Sequence, residues 1–340
     1  MGNWYIEEGP EQDVVISTRI RLARNLKGYP FPTLNYTDGA EKVLSYVNSA
    51  LAEYPDDNIK LIRMENIDEI DKEYLLETHI ISREMTEKQT PCGIISGDDS
   101  IGVMVNEEDH LRIQSILPGL QFEQAYKNCK VFESLPKLKE KYAYNSEFGY
   151  LTSCPTNTGT GIRASAMVHL PALTMSGRIT QVLEACGKLG IAVRGIYGEN
   201  SKATGNLYQI SNQITLGQTE EDIVENIKNI IIQICSMERT NRNNLKVKGG
   251  IKFEDRLCRS IGILSQARTI SSDEAMSLIS DLMFAIETNI VTGLSSKDLV
   301  SMIINIQPAS LQKLCGLVLT PKERDVERAK MIRNIIKNIQ

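Results

Sequence analysis

Near residue 215 the apolar residues of this 340-residue chain change their spacing. Upstream, short stretches alternate with period two, as half-buried strands do, and are interleaved with stretches of amphipathic helical spacing, a mixture that predicts an α/β or α+β domain. Downstream the helical spacing takes over. Ile223, Ile227, Ile230, Ile231 and Ile234 mark one face of a long helix over 219–238, which leads into residues 241–244. Lys246-Val247-Lys248-Gly249-Gly250 reads as a linker. Four or five helices follow between 252 and 340, among them 272–287 and 321–339, with Pro321 suited to a first helical turn. The expected organisation is two unlike domains, 1–245 with mixed structure and 246–340 all helical.

A chain of this length with 41% hydrophobic and 24% charged residues can bury a sizeable core and is not expected to be disordered. Its formal charge of -5 gives no global reason to bind nucleic acid, although arginines can still gather locally into an anion site. The seven cysteines are scattered, with no Cys-x-x-Cys pair, so neither a disulfide framework nor a zinc site is expected. Met1-Gly2-Asn3-Trp4 runs straight into charged residues without a secretion-type apolar stretch, and no run reaches transmembrane length. A soluble protein of the reducing cytoplasm, without direct membrane contact, is the expectation.

Three predicted strands put charge on one face. In Val15-Ile16-Ser17-Thr18-Arg19-Ile20-Arg21-Leu22, period two places Ser17, Arg19 and Arg21 together, opposite Ile20 and Leu22. A second strand over 101–113 contains Asn106-Glu107-Glu108-Asp109-His110-Leu111-Arg112 and would align Glu108, His110 and Arg112. In the third, Ile162, Ala164, Ala166, Val168 and Leu170 alternate with Arg163, Ser165, Met167 and His169 until Pro171. A solvated face would account for any one of these strands; three suggest a cradle. Planar guanidinium forks bind phosphate oxygens by charge-assisted, often bidentate hydrogen bonds, and Arg19, Arg21, Arg112 and Arg163 could share a triphosphate. Arg194 begins Arg194-Gly195-Ile196-Tyr197-Gly198-Glu199, whose glycines suggest a mobile loop ending in a carboxylate.

No Gly-x-x-x-x-Gly-Lys-Ser/Thr loop is present, nor the His-Arg-Asp and Asp-Phe-Gly motifs of protein kinases, so side chains would have to hold a nucleotide. Gly159-x-Gly161-x-x-Ala164, with Glu184 downstream, formally matches a dinucleotide fingerprint. That fingerprint must open a helix, whereas the residues after Gly161 alternate as a strand, which argues against an oxidoreductase.

The heptapeptide Cys154-Pro155-Thr156-Asn157-Thr158-Gly159-Thr160 resembles the Cys-Pro-Thr-Asn-x-Gly-Thr signature of the phosphagen kinases, which include arginine and creatine kinases. It is accompanied in family order by Ser17-Thr18-Arg19-Ile20-Arg21, by Asn106 to Arg112, by Arg163-Ala164-Ser165, and by Arg194-Gly195 running to Gly198-Glu199, together covering roughly 13 to 240. The resemblance implies an α+β catalytic domain with an antiparallel sheet flanked by helices, and ATP with Mg2+ as the phosphoryl donor. It implies that Arg19, Arg21, Arg112, Arg163 and Arg194 bind the phosphates within the segments 17–21, 163–167 (Arg163, Ala164, Ser165, Ala166, Met167) and 194–199. Glu108 and Glu199 would hold the acceptor guanidinium, and His79 would lie near the adenine. Cys154 would sit beside the acceptor, either as a thiolate that attracts it or as an inert thiol.

Two departures bear on the acceptor. The small-molecule enzymes carry a helical domain before their Ser-Thr-Arg-x-Arg strand, where this chain has sixteen residues, and a more open site suited to an arginine displayed on a protein is expected. The helical module contains Arg324-Asp325-Val326-Glu327-Arg328-Ala329, which resembles the Arg-Asp-x-x-Arg-Ala motif of bacterial protein-arginine kinases. There Arg324, Asp325, Arg328 and Ala329 would form a phosphoarginine pocket, since Arg324 and Arg328 share a helix face; on residues alone, a solvated helix with Asp325 paired to Arg328 serves as well. The resemblance further implies a homodimer, a zinc-finger activator protein, Clp protease components as partners, and a part in stress response. The alternatives are a kinase for free arginine or another small guanidino compound, and a non-catalytic regulator that binds nucleotide or phosphoarginine.

Overall fold

The alternation in the first half builds strands in the order β1 (Val15–Arg24), β2 (Lys60–Arg63), β3 (Gly93–Ser96), β4 (Gly102–Val105), β5 (Leu111–Pro118), β6 (Tyr144–Asn145), β7 (Gly149–Tyr150), β8 (Ile162–His169), β9 (Ile191–Gly195) and β10 (Leu207–Asn212). The structure, a computed structural model, describes residues 4–32, 37–56, 58–97, 101–195 and 204–339. Eight of the strands form one sheet in the order β2-β3-β4-β5-β1-β8-β10-β9, and every pairing is antiparallel. Strands β6 and β7 make a small separate hairpin.

One face of the sheet is apolar because every second residue is. Ile20, Leu22, Ile113, Ala164, Ala166 and Ile210 are buried there beneath Val43, Phe122, Val182 and Ile227 of four helices. Over β8, the short side chains of Ala164 and Ala166 let the long helix Glu220–Gln266 lie close. That helix opens with a capping box between Thr219 and Asp222. Its start is tied to the sheet by Arg24, a fully buried guanidinium whose Nε meets Glu133 at 2.6 Å and whose Nη2 meets Glu220 at 2.5 Å. The same guanidinium stacks 3.5 Å from the centre of the Tyr150 ring.

Residues 246–250 do not form an extended linker. They lie within the 47-residue helical run, which breaks only at Gly250, where φ 52° and ψ −148° leave the helical region. Helical spacing resumes because Phe253 and Leu257 pack against Phe284 and Ala285. The helices Ser272–Glu287, Ser296–Asn305, Pro308–Cys315 and Pro321–Ile335 complete the C-terminal module.

The module's core, which includes Met276, Ile279, Leu299, Met302 and Ile332, is continuous with Trp4, Ile16, Ile116 and Leu207 of the first half. Polar joints fix the seam. The Glu77 carboxylate accepts from the N–H groups of Ala309 (2.8 Å) and Ser310 (2.7 Å) at the start of helix Pro308–Cys315. Trp4 Nε1 donates to the Thr78 carbonyl at 3.0 Å, and Ser301 Oγ donates to the Tyr5 carbonyl at 2.9 Å. Among the described residues, no helix is long and apolar enough to cross a membrane.

Candidate active site

The face of the sheet opposite the helices carries the charge, and strand register assembles it. Arg21 stands between Gln114 on β5 and Arg163 on β8; Arg19 stands between Ile116 and Ser165. On the other side Met167 pairs with Gln209, and Gln209 pairs with Arg194. Directly paired residues in an antiparallel sheet project from the same face, so three strands, β1, β8 and β9, deliver Arg19, Arg21, Arg163 and Arg194 to one side. Together with Arg112 and Glu108 they line a cleft of about 740 Å³.

The arginines are crowded. Arg19 is pushed down to about 10, by desolvation first and then by repulsion from Arg163 and Arg112. Arg21 is pushed well below the usual guanidinium value, again by desolvation first, then by Arg19, Arg112 and Arg163. Neutral neighbours hold the fan in place: Arg19 Nη2 donates to Gln209 Oε1 at 3.2 Å, and Arg163 Nη2 to Ser211 Oγ at 3.0 Å. Such a cluster favours a polyanion, whose oxygens would satisfy the forks and cancel the repulsion.

Glu108 reaches the cleft by a route the alternation did not predict. Residues 101–113 are not one strand: β4 and β5 are joined by a turn at 106–110, where Asn106 has φ 60° and its N–H donates to the His110 carbonyl at 2.9 Å. His110 therefore does not share a face with Glu108 and Arg112. It is fully buried; Nδ1 accepts from the Leu26 N–H (2.9 Å), which leaves Nε2 to donate to the Pro30 carbonyl (3.0 Å), and burial pushes its pKa down to about 4. Asp109, also buried, accepts from Asn25 Nδ2 (2.6 Å) and from the Ser153 N–H (2.7 Å), which pins the turn to the loop carrying Cys154.

At the turn's outer edge Arg112 bridges two carboxylates, with Nη1 2.8 Å from Glu107 and Nη2 2.9 Å from Glu108. Glu107 is buried and further held by Ser82 Oγ at 2.5 Å, whereas Glu108 stays partly open to the cleft. Desolvation raises the pKa of Glu108 against the opposing pull of Arg112. Glu107, Ser82, Arg83, Lys88 and Gln209 line the cleft without having been singled out in the sequence. Glu107 adjoins Glu108 in a motif already noted, but only the turn shows that both carboxylates face Arg112.

Cys154 is half-buried at the head of the short turn Pro155–Asn157, with Sγ 3.0 Å from Thr156 Oγ1. Gly159 has φ 117°, and a Cβ there would lie 2.4 Å from the Thr215 carbonyl oxygen, so the heptapeptide needs glycine at that position. The residues after Gly161 are strand β8, and no helix opens there.

Not every expected residue turns toward the cleft. The side chains of Thr18, Ile20, Ala164 and Ala166 lie on the opposite face; Thr18 Oγ1 donates to the Gly119 carbonyl at 2.6 Å, and the other three are in the core. Ser17, Ser165 and Met167 do line the cleft side, beside His79. His79 adopts φ 62° and stacks on Trp4 with centroids 6.4 Å apart; desolvation, then Arg19, pushes its pKa down to about 4. Gly195 is in the cleft wall. Ile196, Tyr197, Gly198 and Glu199 lie outside the described residues.

In the helical module Arg324 and Arg328 do not converge on a shared opening. Arg328 is turned inward and 2% exposed; its Nε donates to the Ile306 carbonyl (2.7 Å), and its Nη1 to the Ile270 carbonyl (2.8 Å) and to Asp325 (2.6 Å). Arg324 Nη1 donates to the Leu319 carbonyl at 3.0 Å, and Ala329 is buried.

Comparison with known proteins matches this architecture. Residues 42–241 fit the family model of the ATP:guanido phosphotransferase C-terminal catalytic domain, and residues 250–340 fit that of the protein-arginine kinase McsB C-terminal domain. The protein-arginine kinase of Desulforamulus reducens is 44% identical, covering 99% of this chain and 96% of its own length. That of Bacillus subtilis is 43% identical, over 98% and 93%. The chain belongs to the protein-arginine kinase family. Among solved structures, lombricine kinase superposes with TM-score 0.61 at 24% identity over 71% of this chain and 70% of that one, a likeness of fold. The duplicated taurocyamine kinase of Schistosoma mansoni with bound transition state analog components gives 0.60 at 25% identity, over 68% and 34%.

Proposed function

We propose that this protein transfers the γ-phosphoryl group of ATP to arginine side chains of proteins. The observation that carries this reading is the convergence of five arginines from four strands on one cleft, with the Glu108 carboxylate at its rim. A guanidinium is a poor nucleophile because it is protonated and its lone pairs are delocalised. Glu108 is the group to restrain it and take its proton as the nitrogen–phosphorus bond forms, and its raised pKa makes it a stronger base than an exposed glutamate. Arg112 fixes the direction of that carboxylate. Glu199 would supply a second carboxylate from its loop, and Cys154, half-buried beside the pinned turn, would face the acceptor.

The arginine fan neutralises the transferring group and the leaving ADP, where positioning and electrostatics dominate. Among the described residues no group of three acidic, His or Cys side chains is arranged for a metal. Mg2+ would therefore enter with the nucleotide and not be held by the protein alone, and it would supply further charge neutralisation at the phosphates. A phosphoarginine pocket at Arg324 and Arg328 belongs to the same proposal and requires Arg328 to exchange its carbonyl partners for phosphate. So do cytoplasmic location, a homodimer, a zinc-finger activator, and a role in marking proteins for Clp-type degradation under stress; all rest on family membership.

Incubation with ATP and either an unfolded protein or free arginine tests the reading. The expected result is acid-labile phosphate on arginines of the protein and little turnover of the free amino acid. Preferential turnover of free arginine would favour the small-molecule reading, and absence of any ATP turnover would favour a regulator.

A further inference from the structure

Beside the heptapeptide, and separate from the phosphate cleft, lies a pocket of about 420 Å³. The hairpin β6–β7 forms one wall and the start of helix Glu220–Gln266 another. Among the described residues, the exposed aromatic side chains are Tyr144 and Phe148; both belong to this hairpin and both line the pocket, with exposed Leu216 beside them. Exposed aromatic groups gathered at one concavity mark a binding surface, because covering them is favourable and leaving them in water is not. The hairpin is already set. Asn145 Oδ1 accepts from the N–H groups of Glu147 (2.8 Å) and Phe148 (3.0 Å), which fixes the tip, and Tyr144 meets the Tyr150 ring edge-on with centroids 5.2 Å apart.

The helix wall is acidic. Tyr126 Oη lies 2.8 Å from Glu220 and 2.9 Å from Glu221, and its single proton serves only one of them at a time. Glu220 is neutralised by Arg24 and Lys130. Among the described residues, neither Glu221 nor Glu147 has a cationic partner. Lys130, the cation among the lining residues, is committed to Glu133 and Glu220. Aromatic rings beside uncompensated carboxylates fit a guanidinium, which stacks by its plane and donates from its edge. The same wall holds one such group from within: Arg24 stacks on Tyr150 while its N–H groups reach Glu133 and Glu220.

We propose that this pocket docks a second arginine of an unfolded substrate polypeptide and holds the chain while another of its arginines enters the cleft. The inference rests on the reading of the protein as a kinase of protein arginines. The pocket is well placed for this task. Tyr150 N–H donates to the Gly159 carbonyl at 2.8 Å and Gly159 N–H to the Tyr150 carbonyl at 3.2 Å, so the hairpin is zipped onto the heptapeptide that begins at Cys154. A smaller polar pocket of about 220 Å³ lies between the two sites, sharing Asn157, Arg163 and Arg194 with the cleft and Thr215 with the aromatic pocket. A polypeptide held at one site raises the effective concentration of its other arginines at the next, which lowers KM without altering the chemical step.

Phosphorylation kinetics of the full-length protein test this with two acceptors. One is reduced, alkylated lysozyme, an unfolded basic protein; the other is acetyl-Ala-Arg-Ala-amide, which carries a single arginine. The variant combines Phe148→Ala with Glu221→Gln, two exposed side chains outside the cleft. The expected result is a KM for the unfolded protein at least fivefold higher with kcat within twofold, while kcat/KM for the tripeptide and KM for ATP also stay within twofold. An unchanged KM for the unfolded protein overturns the proposal, and so does an equal loss with the tripeptide or with ATP, which would place the disturbance in the cleft. A KM effect accompanied by altered sedimentation of the ligand-free variant overturns it in favour of a contact between copies of this chain. Acetylating the lysines of the unfolded protein should leave its KM with the unaltered kinase within twofold; a rise to the variant's value would put lysine in the pocket and overturn the assignment to arginine. If the unaltered protein phosphorylates neither acceptor, the arginine-kinase reading itself fails; if it phosphorylates both and the variant matches it, only the docking site fails.

Discussion

Replacing Arg19 with Met should stabilise the ligand-free protein while abolishing its response to nucleotide. In the folded chain the Arg19 pKa falls from 12.5 to about 10. At about 1.4 kcal/mol for each tenfold change, the charged guanidinium opposes folding by about 3 kcal/mol. Solvent reaching this partly buried side chain screens part of that, and loss of its hydrogen bond to Gln209 removes a little more, so a gain of about 1 kcal/mol is expected. The sign follows from linkage: the folded value lies below the unfolded one, so the penalty is complete at every pH below about 10 and fades only as pH rises from 10 toward 12.5. The gain should therefore be flat between pH 6 and 9. Urea unfolding without ligand measures it, and repetition with ADP at a hundred times the dissociation constant of the unaltered protein should add about 2.7 kcal/mol to that protein and far less to the variant. A variant less stable than the parent without ligand, or one equally stabilised by ADP, would refute the idea that the cleft is an unneutralised cationic cluster waiting for a polyanion.

Glu108→Gln should lower turnover by about 10² to 10⁴ while leaving ADP binding within a few-fold, because the carboxylate faces the acceptor and not the phosphates; normal turnover in this variant would remove Glu108 as the base. Arg24→Met leaves Glu133 and Glu220 without their buried partner and should cost about 3–5 kcal/mol in urea unfolding; a loss below 1 kcal/mol would show that water reaches those carboxylates. With its pKa near 4, His79 is neutral throughout the physiological range, so ADP affinity should show no His79 titration between pH 6 and 8. A break near 6.5 that disappears in His79→Gln would contradict the desolvation that lowers the pKa of that ring.

How far the sequence carried the site depends on what each residue had to show. Strands β1 and β8 were legible because they lie in the interior of the sheet, where one face must be apolar, so parity alone assigned Arg19, Arg21 and Arg163 to the other face. Parity failed at 106–110 because a run of five polar residues fits either face of a strand equally well; only Asn106, tolerant of a left-handed backbone, hinted at a turn. The same blindness affected Lys246 to Gly250, where two glycines and three polar or short residues resemble a linker but the packing of Phe253 and Leu257 keeps the chain helical on both sides of one kink.

Arg328 shows the limit most clearly. Helical spacing places it four residues from Arg324, and nothing in that spacing says whether their shared side faces water or the module's interior. The answer lies with two carbonyls far away in sequence, that of Ile306 at the C-terminal cap of helix Ser296–Asn305 and that of Ile270 in the segment before helix Ser272–Glu287, which Arg328 supplies with donors. Strand neighbours pose the same problem. Arg194 joins Arg19 only because β10 is inserted between β8 and β9, an order that no local pattern encodes. The residues most open to reading from sequence are therefore those whose neighbours lie on their own strand. Those that make the cleft a single site, Arg194 and Gln209 among them, depend on contacts between elements that only the fold supplies.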